Sequence, residues 1–255
     1  PYYANSQVMM VDGGNVEAAV PSSFWNRFGE SIYVNILSEN RYRLLWDGLK
    51  TTFAISILAT LFGTLLGGVI CFMRMSRARI LSIPARIFIS VLRGVPVVVL
   101  LMLIFYVAFA SVNISPVLVA VVAFGLNFAA YVSEVFRTGI ESIERGQTEA
   151  GLSMGFSRTD TFRLVVMPQM IRRILPVYKG EVISLVKMTS IVGYIAVLDL
   201  TKASDIIRAQ TFDAFFPLVF VAILYFLISY LLIALMDWAD RSTDPKRRAR
   251  KASAA

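Results

Sequence analysis

Residues 146–168 read GQTEAGLSMGFSRTDTFRLVVMP, a polar, glycine-punctuated stretch inside an otherwise very apolar chain. The order is specific: Glu149, Ala150 and Gly151, then Gly155, then Val165 ten residues on, with Met167-Pro168 after it. Residues 149–154 suffice for about one and a half helical turns, and Gly155 can take the left-handed conformation that ends them. Thr148 is placed to cap the start, where Glu149 also meets the positive end of the helix dipole. Ser157, with Asp160 three residues later, predicts the capped start of a second helix, and Met167-Pro168 predicts a bend at the exit. By its residues alone an ordinary helical hairpin fits equally well. What lies on either side decides its setting.

Hydrophobic residues make up 57% of the 255, charged residues 16%, and the mean hydropathy is +0.68. That lies far outside the range of soluble domains and predicts an all-α integral membrane protein. A single cysteine, Cys71 in an apolar run, and the lack of any histidine argue against disulfides, zinc sites and histidine acid–base chemistry. A net charge of +8 would suggest nucleic acid in a soluble protein. Here the basic residues flank apolar segments, which is how a membrane protein encodes orientation, so no nucleic-acid partner is expected.

A spanning helix needs about 20 mostly apolar residues. Five segments qualify or nearly qualify, at 52–73, 94–112, 116–136, 182–198 and 214–236, the fourth being short and carrying Lys187. Arg74, Arg77, Arg79 and Arg86 follow the first, whereas the turn at 110–116 is uncharged. Arg137, Arg145, Arg158, Arg163, Arg172, Arg173 and Lys179 fill residues 137–179, and Lys246, Arg247, Arg248, Arg250 and Lys251 follow the fifth. The positive-inside rule therefore predicts five transmembrane helices, the N-terminus outside, residues 137–179 and the C-terminus in the cytoplasm, and the 200–213 connection outside.

Residues 1–47 are more polar. Asp12-Gly13-Gly14-Asn15 is turn material, and Phe24, Phe28, Ile32 and Ile36 at helical spacing predict an amphipathic helix on the outer leaflet. The chain opens without the charged start of a signal peptide, and Pro1-Tyr2-Tyr3 reads as the front of a fragment or processed product. In the first span Gly63 and Gly67, with Gly48, Thr51, Thr52, Ser56, Thr60, Thr64 and Gly68, form a face on which another helix can approach closely. The 241–255 tail reads as a basic orientation signal or anionic-lipid contact.

Polar residues within spans are costly and so are candidates for function. Asn127, Tyr131, Glu134 and Thr138 share one face of the third span, and Ser184, Lys187, Ile191 and Tyr194 one face of the fourth. Lys187 is placed to snorkel, to pair with Glu134 or to meet a substrate, with Thr189, Ser190 and Asn127 offering hydrogen bonds. Asp199, Lys202, Asp205 and Arg208, three apart, predict mutual ion pairs on a short exposed helix where a delivery partner could also dock.

The spacing of residues 149–168 resembles the EAA loop (Glu-Ala-Ala, three residues, Gly, nine residues, Ile-x-Leu-Pro) by which permeases of ATP-binding-cassette importers dock on their ATPases. Arg93-Gly94-Val95-Pro96, the run NFAAYVSEVFR at 127–137, Gly146-Gln147-x-Glu149-Ala150 and Lys187-Met188-Thr189-Ser190-Ile191 are similar to the polar-amino-acid branch, in order and over residues 48–238. Two positions depart from it: Gly151 replaces the third residue of Glu-Ala-Ala, and Leu100 stands where the branch usually has glutamine.

The resemblance implies a type I ABC importer permease fold over residues 48–240, with a cytoplasmic coupling loop at 137–179. Glu149, Ala150, Gly151 and Gly155 would meet an ABC ATPase dimer, which would hold the ATP and Mg. Asn127, Tyr131, Glu134, Lys187, Thr189 and Ser190 would lie along the path of a polar amino acid such as glutamine, glutamate, arginine or histidine. Further partners would be a second permease subunit, identical or not, membrane lipid, and an extracytoplasmic solute-binding protein or a domain fused ahead of residues 1–47, with 1–20 its linker or remnant. The setting would be the bacterial cytoplasmic (inner) membrane.

No GxxxxGK[ST] phosphate loop occurs, so the chain itself is expected to bind no nucleotide and to catalyse no reaction. An ion-coupled secondary transporter would instead show an inverted repeat and broken helices in paired positions, neither of which is evident in the sequence. A membrane-embedded hydrolase would need acid–base residues that the spans do not supply.

Overall fold

The computed structural model describes residues 24–243, and no strand occurs among them. The expected N-terminal linker and turn, and the basic cluster at 245–251, lie outside the described residues. In order the helices are α1 (Phe24–Ile32), α2 (Tyr42–Met75), α3 (Arg79–Gly94), α4 (Val97–Leu103), α5 (Pro116–Glu141), α6 (Arg145–Ser153), α7 (Arg158–Thr161), α8 (Met167–Met188), α9 (Leu200–Thr211) and α10 (Phe216–Thr243). Looser π-helical turns at Tyr33–Leu37, Ile104–Ala108 and Phe162–Val166, and a tighter 3-10 stretch at Thr189–Ile195, join some of them.

Three helices are long and apolar enough to cross a bilayer alone: α2, α5 and the Phe216–Trp238 part of α10. Two bent pairs raise the number to five if each is one span: Arg79–Gly94 with Val97–Ala108, at 110°, and Arg158–Ile195 with Leu200–Thr211, at 52°. The expected bounds of the second and fourth spans need correction. After Pro96 only seven α-helical and five π-helical residues follow, about 18 Å of helix against a hydrocarbon core of roughly 30 Å. By length this segment is too short to cross without α3. Pro96 explains the break, because its ring holds Val95 extended (φ −99°, ψ 134°) and it has no N–H to continue the ladder. The helix that holds the expected fourth span does not begin at residue 182: α8 starts fifteen residues earlier, at Met167, and runs to Met188.

Residues 137–179 are mostly helical and not loop: α5 runs to Glu141, and α6, α7 and the first half of α8 fill the remainder. The expected bend at Met167-Pro168 is also absent. Pro168 sits in the first turn of α8, and the π-helical turn at Phe162–Val166 just before it takes up the missing proline donor.

α5 is the centre of the bundle. α2 lies along it at Gly63, where a Cβ would stand 2.7 Å from the Gly125 carbonyl oxygen, and at Gly67, where it would stand 3.0 Å from that of Ala129. The small-residue face of the first span thus finds its partner helix within the chain. Gly48 extends the same face onto the Asp199 carbonyl, 2.6 Å from where its Cβ would be. Ile55, Leu101, Phe124, Phe128, Leu185 and Val192 fill the core between α2, α4, α5 and α8.

α1 covers Phe24 to Ile32 of the expected amphipathic stretch, and Ile36 falls beyond it in the π-helical turn. That turn is tied down: Asn35 Nδ2 donates to Asp213 Oδ2 at 2.9 Å, its Oδ1 accepts from Thr211 Oγ1 at 2.9 Å, and Arg41 Nε donates to Gln210 Oε1 at 3.2 Å. The expected chain of ion pairs on α9 is corrected at its first two members, Lys202 making no ion pair among the described residues. Asp199 is fully buried and caps α9, accepting from the backbone N–H of Thr201 (3.0 Å) and Lys202 (2.9 Å) and from the Tyr225 hydroxyl (3.2 Å). Asp205 and Arg208 do pair, at 3.1 Å.

Candidate functional site

The first part of the site is α6 with α7. α6 starts at Arg145, four residues earlier than the sequence suggested, so Thr148 lies within the helix and does not cap it. Its end is as expected. Gly155 takes φ +87°, Phe156 N–H donates to the Gly151 carbonyl (3.2 Å) and Gly155 N–H to that of Leu152 (3.0 Å), the paired bonds of a Schellman stop. Ser157 then caps α7, its Oγ accepting from Asp160 N–H at 3.1 Å and donating to the Asp160 carboxylate at 2.6 Å. Glu149, Ala150 and Gly155 are exposed, and Gly151 is the only buried residue of α6.

This element rests on the bundle. Ile143, Val166, Met170 and Ile174 form one apolar cluster with Val135 and Phe162, joining the end of α5, the π-helical turn and the start of α8. Gly139 lets α8 come so close that a Cβ there would overlap Ile174. Gln169 of α8 donates to Gln147 of α6 at 3.0 Å, and Arg173 donates to the Ser142 carbonyl at the end of α5.

Glu134 belongs to this end of the molecule. Its carboxylate pairs with Arg74 of α2 and, at 3.0 Å, with Arg137, which also reaches Glu141 at 2.5 Å. The Glu134–Lys187 pair considered from the sequence does not form. Lys187 lies nine residues beyond Tyr178, or about 14 Å of helix, whereas Tyr178 stacks on Phe136 beside Glu134 (ring centroids 6.4 Å apart). Lys187 is exposed and makes no ion pair among the described residues.

The second part lies at the break between α3 and α4. Asn127 and Tyr131 are 11 and 15 residues into the 26-residue α5, roughly 16 and 22 Å along a helix of about 39 Å. Asn127 is buried and donates to the Leu92 carbonyl at 3.2 Å, satisfying the end of α3 where Pro96 interrupts the ladder. Tyr131 carries the Arg93 guanidinium over its ring, 5.0 Å from the centroid. Arg93 at the end of α3 is exposed and Glu181 of α8 half-buried, and neither makes a hydrogen bond or an ion pair within 4.0 Å among the described residues. Thr189 is fully buried and donates to the Val186 carbonyl at 2.7 Å, while Ser190 is half-buried in the 3-10 stretch.

Sequence reasoning missed Arg93 and Glu181 because each stands one residue outside the span boundary drawn beside it. A charged residue next to Gly94 and Pro96 within an apolar region was the available signal, since irregular backbone at membrane depth is tolerated only where it is covered or lines a cavity.

The all-helical bundle, with three to five candidate membrane spans, is the fold of a type I ABC importer permease. The chain belongs to the family described as binding-protein-dependent transport system inner membrane component, which it matches over residues 59–245. It is 36% identical over 201 residues to the glutamine transport system permease protein GlnP of Escherichia coli, covering 78% of this chain and 92% of that protein. The probable amino-acid ABC transporter permease protein YckA of Bacillus subtilis is 34% identical, with 82% and 88% of the two chains covered. Among solved structures, an amino acid ABC transporter crystallised with histidines superposes with a TM-score of 0.72 at 35% identity, over 81% of this chain and 97% of that one. The inward-facing MetNI methionine ABC transporter, at 20% identity and a TM-score of 0.69 over 81% and 99% of the chains, shares the fold.

Proposed function

We propose that the chain is the membrane-spanning subunit of an ATP-driven importer for polar amino acids. The single observation that carries the reading is the tie of α6 to the bundle: Gln169 of α8 donates to Gln147 of α6, beside the cluster of Ile143, Val166, Met170 and Ile174 that joins the end of α5 to the start of α8. Through these contacts a push on Glu149 and Ala150 would reach α5 and α8, and these two helices carry Tyr131 and Glu181 past their midpoints. A separate ATPase dimer would hold ATP and Mg and close against α6. A second permease subunit would complete the path, and a solute-binding protein would deliver the substrate on the side of α9, the N-terminus being outside and the C-terminus inside.

Relatives named for glutamine and for L-cystine transport support an amino-acid substrate. On this reading Arg93 meets the substrate carboxylate and Glu181 its ammonium as it passes Tyr131, and Lys187 and Ser190 lie farther along the path. Asn127 and Glu134 act by holding helices in place. Two bent helix pairs are present, so of the sequence argument against a secondary transporter only the missing inverted repeat is left, and family membership bears most of the weight.

The test is reconstitution with the ATPase and the receptor in proteoliposomes. ATP-dependent uptake is expected, Glu149→Arg should abolish receptor-stimulated ATP hydrolysis, and Glu181→Gln should lower uptake while the complex still assembles. Uptake driven by an ion gradient without any ATPase would overturn the importer reading. Wild-type uptake by Glu181→Gln would remove that residue from the path.

A further inference from the structure

Gly151 is where the chain departs from Glu-Ala-Ala, and the structure supplies a reason. A Cβ at Gly151 would stand 2.6 Å from Cγ2 and 3.0 Å from Oγ1 of Thr161, the last residue of α7. Thr161 is fully buried, and its hydroxyl has no hydrogen-bond partner among the described residues. A threonine hydroxyl in a helix usually bonds a carbonyl one turn back. Here that role is absent, and what remains is volume.

The volume lies at a mechanical junction. Gly151 also accepts from Phe156 N–H to stop α6, so its backbone ends the helix while its bare α-carbon seats the helix on α7. From Thr161 the chain runs directly into the π-helical turn and the apolar cluster beneath α8.

We propose that Thr161 is a positioning residue of the coupling element, matched to Gly151. Its side chain occupies the space that an alanine methyl at 151 would need, and the pair together sets the angle at which α6 presents Glu149 and Ala150. The inference rests on the coupling role proposed for α6. It adds a residue outside the motif and makes the departure at 151 one half of a compensated pair.

The test is a double-mutant cycle in the reconstituted complex with its ATPase and receptor, read as the ratio of receptor-stimulated to basal ATP hydrolysis. Gly151→Ala is expected to lower that ratio about tenfold. Gly151→Ala with Thr161→Ala should recover it to within about twofold of the parent chain. Thr161→Val, which keeps the volume and discards the hydroxyl, should retain stimulation, whereas Thr161→Gly should weaken it.

If Gly151→Ala fails to assemble, recovered assembly in the double variant supports the pair, and failed assembly in both overturns it. An unaffected Gly151→Ala, or loss in Thr161→Val equal to that in Thr161→Gly, also overturns it. Glu149→Arg separates the two levels. If it leaves stimulation intact, the coupling role of α6 has failed; if it abolishes stimulation and the double variant shows no rescue, only the pairing has failed.

Discussion

α5 and α10 are both long enough to cross a bilayer, and the more apolar of the two is the one on the outside. The most apolar window of α10 has a mean hydropathy of 2.8 and is 11% buried, against 1.9 and 67% for α5. In water this order would be reversed. In lipid the surrounding solvent is itself apolar, so packing inside the bundle depends on small residues that admit a neighbour and on polar groups that find partners. α5 is built this way, with Gly125, Gly139, Asn127, Ser133 and Glu134 each facing another helix or its own backbone. α10 presents Phe226, Leu227 and Leu231 outward, packs Val221 and Ile228 against Leu200, Ala203 and Ile207 of α9, and has a few polar ties, Lys179 to Asp237 and Tyr225 to Asp199 among them.

The strongest way to break this comparison is to add volume on both helices' faces. Gly63→Val places methyl groups where the Gly125 carbonyl and the Phe128 ring already lie. Overpacking of this kind costs about 3 kcal/mol or more, and the variant is expected to yield no monodisperse permease in detergent. Ala222→Ile on the exposed side of α10 adds the same number of carbons and should leave melting within about 0.5 kcal/mol of the parent. A stable Gly63→Val protein would mean that the α2–α5 contact does not organise the bundle.

The same contrast explains what the sequence made legible. The GxxxG face of α2 and the stop at Gly155 depend on local pattern, and the structure has both. The broken second span was hidden because averaged hydropathy runs smoothly through Val95 to Phe109 and does not register a change of direction at Pro96. Arg93 and Glu181 were hidden for the same reason, being taken as flanks of spans that begin elsewhere. Asp199 was misread because helical spacing with Lys202, Asp205 and Arg208 suggests pairing, whereas a carboxylate just before a helix has backbone donors nearer to hand. Thr161 had no sequence signal at all, since its contact with Gly151 arises only once α6 and α7 fold against each other.

A middle-sized effect comes from charge. Glu134→Gln leaves Arg74 and Arg137 facing a neutral amide, and these side chains are only 26% and 22% exposed. Removing one member of a partly buried network should cost about 2 kcal/mol in melting measurements. Asp237→Asn weakens a pair at the edge of α10, where the carboxylate is 42% exposed and Lys179 keeps Asp240 at 3.4 Å. There a cost below about 1 kcal/mol is expected. Equal losses would show that depth in the bundle does not scale the value of a pair.

The smallest expected difference is also the most direct. Thr64 Oγ1 donates its one proton to the Thr60 carbonyl at 2.6 Å, so the Tyr178 hydroxyl must be the donor in the 2.7 Å bond between α8 and α2. Near α10 the Tyr225 hydroxyl donates to Asp199 and accepts from Thr201 at the longer distance of 3.3 Å. Tyr178→Phe keeps the ring against Phe128 and Phe136 and removes only the hydroxyl, as Tyr225→Phe does at the other site. Paired with Thr64→Val and Thr201→Val, the two cycles should give a coupling near 0.6 kcal/mol for the inner bond, the usual value between membrane helices, and less for the outer one. Chemical unfolding in detergent would read both. A larger coupling at Thr201–Tyr225 would indicate that the buried Asp199 carboxylate, by polarising the Tyr225 hydroxyl, outweighs distance and position in the bundle.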